Sequence, residues 1–127
     1  MKREVYENRR QRVTALMQES PERFDMDTPA SKRTRCGTAH CIAGWTLVAA
    51  GARFLYDEHD AASAYFLDGG LHSFAEYLPG ASGARWLADA ARYLGLKYDE
   101  AYHLFHNYDI RTPHEAGRLL LAAGYAE

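Results

Sequence analysis

The chain has 127 residues, and its 15 Lys and Arg against 17 Asp and Glu leave a net charge of −2. Hydrophobic residues at 47% and charged residues at 25% are the proportions of a globular protein, which excludes collagen-like, disordered and disulfide-scaffold classes. A chain this long is expected to form one domain over residues 1–127, with a core that needs neither metal nor disulfide staples.

Residues 1–10 are charged with no apolar stretch behind them, so no secretory signal is expected. The most apolar run, residues 41–52, is too short for a bilayer, which takes roughly 20. Together with only two cysteines, Cys36 and Cys41, this points to reduced thiols in a cytoplasm. Charge is uneven: residues 1–35 hold nine Lys and Arg against six Asp and Glu, and the remainder is net acidic. A duplex-binding domain that neutralises phosphates would be far more basic overall.

In chain order, Val5, Val13, Leu16 and Met17 form the stripe of a first helix, with Arg9, Arg10 and Arg12 largely on its wet side. Ser20-Pro21 stops that helix. Residues 21–37 read as a loop carrying the basic cluster Lys32-Arg33-Thr34-Arg35. A second helix, about 38–50, is apolar nearly all round, with Thr38 as its N-cap and Gly51 at its end, which assigns it to the middle of a bundle. Gly44 inside it costs about 1 kcal/mol relative to Ala, a cost that close approach by another backbone would explain.

Beyond a short extended segment near residues 52–56, a helix with Ala61, Ala64, Tyr65 and Phe66 is expected, ended by Gly69-Gly70. A short amphipathic turn through Leu71, Phe74 and Leu78 follows. Trp86, Leu87, Ala90, Ala91 and Leu94 mark the cleanest helix, stopped by Gly95, and Tyr98, Ala101, Leu104 and Phe105 mark the next. Thr112-Pro113-His114-Glu115 opens the last one with a cap, a first-position proline and a third-position glutamate. The expected fold class is therefore all-α: a bundle of five to seven short helices around the central apolar one.

The most distinctive segment is Cys36-Gly37-Thr38-Ala39-His40-Cys41-Ile42-Ala43-Gly44-Trp45, preceded by Phe24-Asp25-Met26. In these residues the chain resembles a widespread group of small phage and bacterial proteins. Their shared pattern is Phe-Asp-Met, a variable loop, then Cys-Gly-Thr-x-x-Cys-Ile-Ala-Gly. Leu94-Gly95-Leu96, Leu104-Phe105 and Thr112-Pro113-x-Glu115-Ala116 extend the similarity over most of the chain. The resemblance implies a phage or mobile-element accessory protein, of the kind that occupies a host protein or sequesters a nucleotide signal. It carries over no catalytic residue.

Three chemistries suit this segment. Lys32, Arg33 and Arg35 ahead of Gly37-Thr38, with His40 beside them, could hold a phosphate or nucleotide at the helix N-terminus, where free N–H groups and the dipole favour an anion. The plainer alternative is a solvated basic loop and a simple cap. Cys36, His40 and Cys41 are possible metal ligands, but their spacing is not that of common zinc sites, and buried apolar thiols explain them equally. Cys41 in a first helical turn could be an activated nucleophile, yet His40 next to it points about 100° away. No Gly-rich phosphate loop or Ser-His-Asp arrangement is legible, so no catalytic residue, metal or cofactor is assigned.

Residues 83–106 fit a helix-turn-helix core, but carry three positive and three negative side chains, a poor balance for DNA. His103 and His106 can share a helical face, as metal ligands or simply as exposed polar groups. Tyr93, Tyr98, Tyr102, Tyr108 and Tyr125 make the C-terminal half tyrosine-rich, which suits a partner surface as well as the rim of a small core. The leading expectation is a non-enzymatic binding protein for a host protein or an anionic ligand. A DNA-binding regulator using residues 83–106 is the first alternative, and a thiol- or metal-dependent enzyme at Cys36 and Cys41 the second. A homodimer is compatible with all three.

Overall fold

The computed structural model of the chain describes residues 2–34, 37–78 and 83–126, with backbone alone at 32–34 and 37–39. Its elements run α1 (Arg3–Glu19), β1 (Ser31–Thr34), β2 (Gly37–Ala39), α2 (Ile42–Ala49), β3 (Arg53–Tyr56), β4 (Ala62–Leu67), β5 (Gly70–Ser73), α3 (Arg85–Leu94), α4 (Tyr98–Phe105) and α5 (Pro113–Ala122). The fold is thus mixed, not all-α. Among the described residues, five α-helices are joined by a β1-β2 hairpin and by an antiparallel sheet of order β3-β4-β5.

The stretch expected to be helical at residues 61–66 is the central strand of that sheet. Its apolar spacing suits a helix stripe as well as a strand, and the adjoining turn decides between them. Leu67 pairs with Gly70, leaving Asp68-Gly69 as a two-residue turn with φ of 52° and 80°. Both central residues in the left-handed region define the hairpin turn that matches strand twist, and Asp-Gly is among its favoured pairs. The preceding connection is also a turn rather than a helix start. Asp57 Oδ1 accepts from the N–H groups of His59 at 2.8 Å and Ala61 at 3.1 Å, and Asp60 has a φ of 61°. Thus Asp57 organises a hairpin, a role its side chain fills as readily as a helix cap.

The main core gathers Val13 and Met17 of α1, Ile42 and Trp45 of α2, Leu87 and Leu94 of α3, Phe105 of α4 and Leu120 of α5. A second cluster joins Leu47 to Tyr65 and Leu67 of the sheet, so α2 touches both layers. The polar seam between sheet and helices is a buried network. Tyr65 donates its hydroxyl to Asp89 at 2.7 Å, and Asp89 also accepts from Arg92 at 3.1 Å. Arg85 Nε lies 3.4 Å from the same carboxylate without the alignment of a hydrogen bond. Burial, then the bond to Asp89, holds the Tyr65 phenol protonated well above its ordinary range.

Arg10, expected on the wet side of α1, is fully buried. Its guanidinium donates to the carbonyls of Leu94 at 2.9 Å and Gly95 at 3.4 Å, where α3 ends, and of Leu120, Ala123 and Gly124, where α5 ends. The terminal carbonyls of two helices lack intrahelical partners and carry the negative ends of two dipoles. One planar cation with five donors satisfies both ends at once.

Candidate functional site

The segment expected to open the central helix does something else. Residues 37–39 form β2, and α2 starts at Ile42 with Cys41 as its N-cap. The chain is kept out of the helix by pairing with the loop ahead of it. Asp25 N donates to His40 O at 2.9 Å, His40 N to Arg23 O at 2.9 Å, and Cys41 N to Thr28 O at 2.7 Å. These bonds form a short parallel bridge between Phe24 and His40. The two halves of the sequence pattern, Phe24-Asp25-Met26 and Cys41-Ile42-Ala43-Gly44, are thereby one packed unit.

The helix start expected at Thr38 therefore lies at Ile42 instead. The first turn of α2 consists of buried Ile42, Ala43 and Gly44, and the Gly44 N–H is taken by Cys41 Sγ at 3.4 Å. Lys32, Arg33, Gly37 and Thr38 lie on the strands of the β1-β2 hairpin. Their side chains, and the whole of Cys36 and Arg35, lie outside the described residues. His40 is 3% exposed, with Nδ1 2.9 Å from Pro29 O and its ring 4.6 Å from Trp45 and 5.3 Å from Phe54. Because the carbonyl only accepts, Nδ1 carries the proton.

Burial pushes the His40 pKa down to about 4. The native state then binds fewer protons than the unfolded chain between the ordinary value near 6.5 and 4, so stability is full above pH 6.5 and falls as pH drops through that window. The expected contribution is of order 3 kcal/mol, read as a steeper loss of urea midpoint from pH 7 to 4 in the parent than in His40→Gln. Equal slopes would show that His40 is not buried neutral. Cys41 is also buried, and its thiol is pushed up to about 11. Desolvation outweighs the helix N-terminus here, which is the opposite of an activated nucleophile. Among the described residues, no group of three His, Cys, Asp or Glu side chains is placed to hold a metal.

The tyrosines sort into two sets. Tyr93 and Tyr125 turn inward against arginines, Arg9 lying 4.3 Å over the first ring and Arg10 3.9 Å over the second. Tyr98, Tyr102 and Tyr108 stay exposed at 38, 50 and 51%, and Tyr77 at 66%. Tyr98 and Tyr102 lie on α4 and Tyr108 just beyond its end. Tyr98 and Tyr102 are one turn apart on that helix, and Tyr98 packs its hydroxyl end on Gly83, the backbone partner of Leu78. The ring of His106 lies 4.5 Å from Tyr102, 5.8 Å from Trp86 and 6.3 Å from Tyr108. Its Nδ1 is 2.9 Å from Tyr102 O, which fixes the imidazole between the rings.

The helix pair expected over residues 83–106 is present as α3 and α4, with left-handed Gly95 between them. Its second helix presents tyrosines, Asp99 and His103 and contains no Lys or Arg. Groove-reading helices work among phosphates and rely on such cations, or on Asn and Gln. Among the described residues, no helix is long and apolar enough to cross a membrane. Compared with family models, with curated proteins and with solved structures, the chain matches none.

Proposed function

We propose that the chain is a non-enzymatic accessory protein of phage or mobile-element type, acting in the cytoplasm by occupying a host protein with the aromatic face around α4. The observation that carries this reading is the exposure of Tyr98 and Tyr102 on one helix and of Tyr108 just beyond it, with the fixed His106 ring set between Tyr102 and Tyr108. Tyrosine brings large contact area, few rotatable bonds and a hydroxyl for the partner's polar groups, and it is enriched among residues that dominate binding energy. The exposed side of α4 lacks Lys and Arg, so the contact it favours is desolvated and aromatic rather than phosphate-neutralising. The burial of His40 and Cys41 supports placing the working surface outside the sequence pattern.

The test is affinity capture from nuclease-treated bacterial lysate with the parent, with Tyr102→Ala/Tyr108→Ala, and with Leu71→Ser on the outer face of the sheet. A stoichiometric protein partner should be held by the parent and by Leu71→Ser. The tyrosine variant should bind it at least tenfold more weakly with an unchanged melting curve, since truncating two such anchors costs about 2 kcal/mol or more. Recovery of nucleic acid alone, or loss on Leu71→Ser in place of the tyrosine variant, would overturn the reading.

A further inference from the structure

We propose that the groove between α1, α3 and the β4-β5 turn binds a small organic anion that carries a planar ring. The proposal is independent of the aromatic face. A cavity of about 320 Å³ is lined by Tyr6, Arg9, Leu67, Asp68, Arg92 and Tyr93, among others. A second cavity, of about 280 Å³, shares Leu67, Asp68, Asp89 and Arg92 with it and continues the groove past His72 and Arg85. Each is of the size of a small-ligand site, with a mixed apolar and polar lining.

Two arginines in this groove are oriented before any ligand arrives. Arg9 donates one bond to Tyr93 O at 3.0 Å and lies 4.3 Å over the Tyr93 ring. Arg92 donates to Asp89 at 3.1 Å, and that carboxylate is itself fixed by the Tyr65 hydroxyl at 2.7 Å. Among the described residues each guanidinium uses one donor in this way, of the five it carries. The Arg92 side chain is 70% exposed, so its remaining donors are open to an incoming phosphate or carboxylate. Because the anchors already immobilise both side chains, binding does not have to order them.

The walls are equally fixed. Tyr93 donates its hydroxyl to Ala49 O at 3.2 Å, and Tyr6 lies flat against Gly95, where even a methyl group would come within 2.6 Å of its ring. Leu67 and Ala50 give the groove an apolar side against which a ring can lie. Asp68, held at a φ of 52° in its turn, adds a carboxylate acceptor for a hydroxyl or amine on the ligand. Arginine pair, tyrosine walls and the two carboxylates Asp68 and Asp89 together match a molecule with an anionic group on one end of a planar ring and a hydroxyl or amine toward the carboxylates. An inorganic anion would forgo the walls, and an uncharged ring would forgo the guanidinium pair.

Calorimetric and NMR titration of the full chain with AMP and phenyl phosphate, and with inorganic phosphate and adenosine as half-ligands, tests this directly. At least one ring-bearing anion should bind with a Kd of about 10 μM to 1 mM and shift the signals of Tyr6, Tyr93 and Arg92. Both half-ligands should bind at least tenfold more weakly. Arg92→Ala, which also removes one partner of the buried Asp89 carboxylate, should lower affinity at least tenfold in protein whose NMR spectrum stays folded at the titration temperature, and Arg9→Lys, which keeps the charge but not the fork, should lower it severalfold. Absence of binding by both ring-bearing anions, phosphate binding as tightly as they do, or full affinity in Arg92→Ala would each overturn the proposal. Failure here leaves the aromatic-face reading standing, because Tyr102 and Tyr108 line neither cavity.

Discussion

Gly44→Ala should be among the most damaging single-methyl changes this chain can suffer, lowering stability by about 3 kcal/mol or more. In an isolated helix the same change is favourable by about 1 kcal/mol. Here the added Cβ would stand 1.8 Å from Pro29 O and 2.7 Å from Pro29 C. Those are backbone atoms, and they cannot swing aside as a side-chain tip would. Pro29 O is held against His40 Nδ1 at 2.9 Å, and the neighbouring Thr28 O accepts from Cys41 N at 2.7 Å. Relief would require the loop to separate from α2, which breaks the bridge between Phe24 and His40. Urea unfolding of the two proteins gives the difference. A midpoint equal to or above that of the parent would mean the loop does not sit on α2 as described.

Arg10→Met should cost about 3–5 kcal/mol, the range for breaking a buried charged network by removing one member. Methionine approximates the volume of the side-chain stem, so the loss isolates the guanidinium from simple packing. The carbonyls of Leu94, Gly95 and Leu120, bonded in buried surroundings, and of Ala123 and Gly124, bonded in half-buried ones, would each lose this charged donor, while Gly95 O keeps Ala126 N and Leu120 O keeps Ala123 N. Burial lowers the pKa of Arg10, with Tyr125 and Glu100 opposing that shift; the guanidinium nonetheless stays charged. For a chain of this size the expected fall in Tm is roughly 10 °C or more. Arg12→Ala, on the exposed side of the same helix, should move it by a degree or two. Similar small shifts for both variants would contradict the clasp.

Much of the helical part was legible because its punctuation is local. Ser20-Pro21, Gly95 and Thr112-Pro113-x-Glu115 act within one turn of where they stand, and α1, α3 and α5 end or begin there. Thr112 does accept from Glu115 N at 3.2 Å. The sheet was legible too, but in a signal easily taken for another. Gly69-Gly70 reads as a helix stop, whereas Asp68-Gly69 is a hairpin turn, and only the second pairing sets the register of β4 and β5. The burial of Arg10 also had a sequence sign. It falls three and seven residues before Val13 and Met17, on their stripe, so periodicity places it inside and only its charge argues for water.

The start of α2 was not legible from residues 38–50 alone. Thr38 is a good cap, and the apolar run that follows is a good helix. What shortens the helix is a long-range partner, the loop from Arg23 to Pro29, whose carbonyls take the N–H groups of His40 and Cys41. The exposed tyrosines show the same limit. Composition marks the C-terminal half as tyrosine-rich, but which rings face inward depends on where Arg9 and Arg10 end up. The outer face of the sheet, with Leu55 and Leu71 exposed, was not legible while its central strand was read as helix and only residues 52–56 as extended.

The most direct test of where this protein makes its contacts is site-specific photocrosslinking in a bacterial host, with p-benzoylphenylalanine replacing Tyr102, Leu71 or Arg33 one at a time. If the aromatic face around α4 is the working surface and the sequence pattern is internal scaffold, position 102 yields a discrete protein adduct while positions 71 and 33 yield none. An adduct at position 33 with none at 102 would return the contact to the β1-β2 hairpin and contradict that assignment.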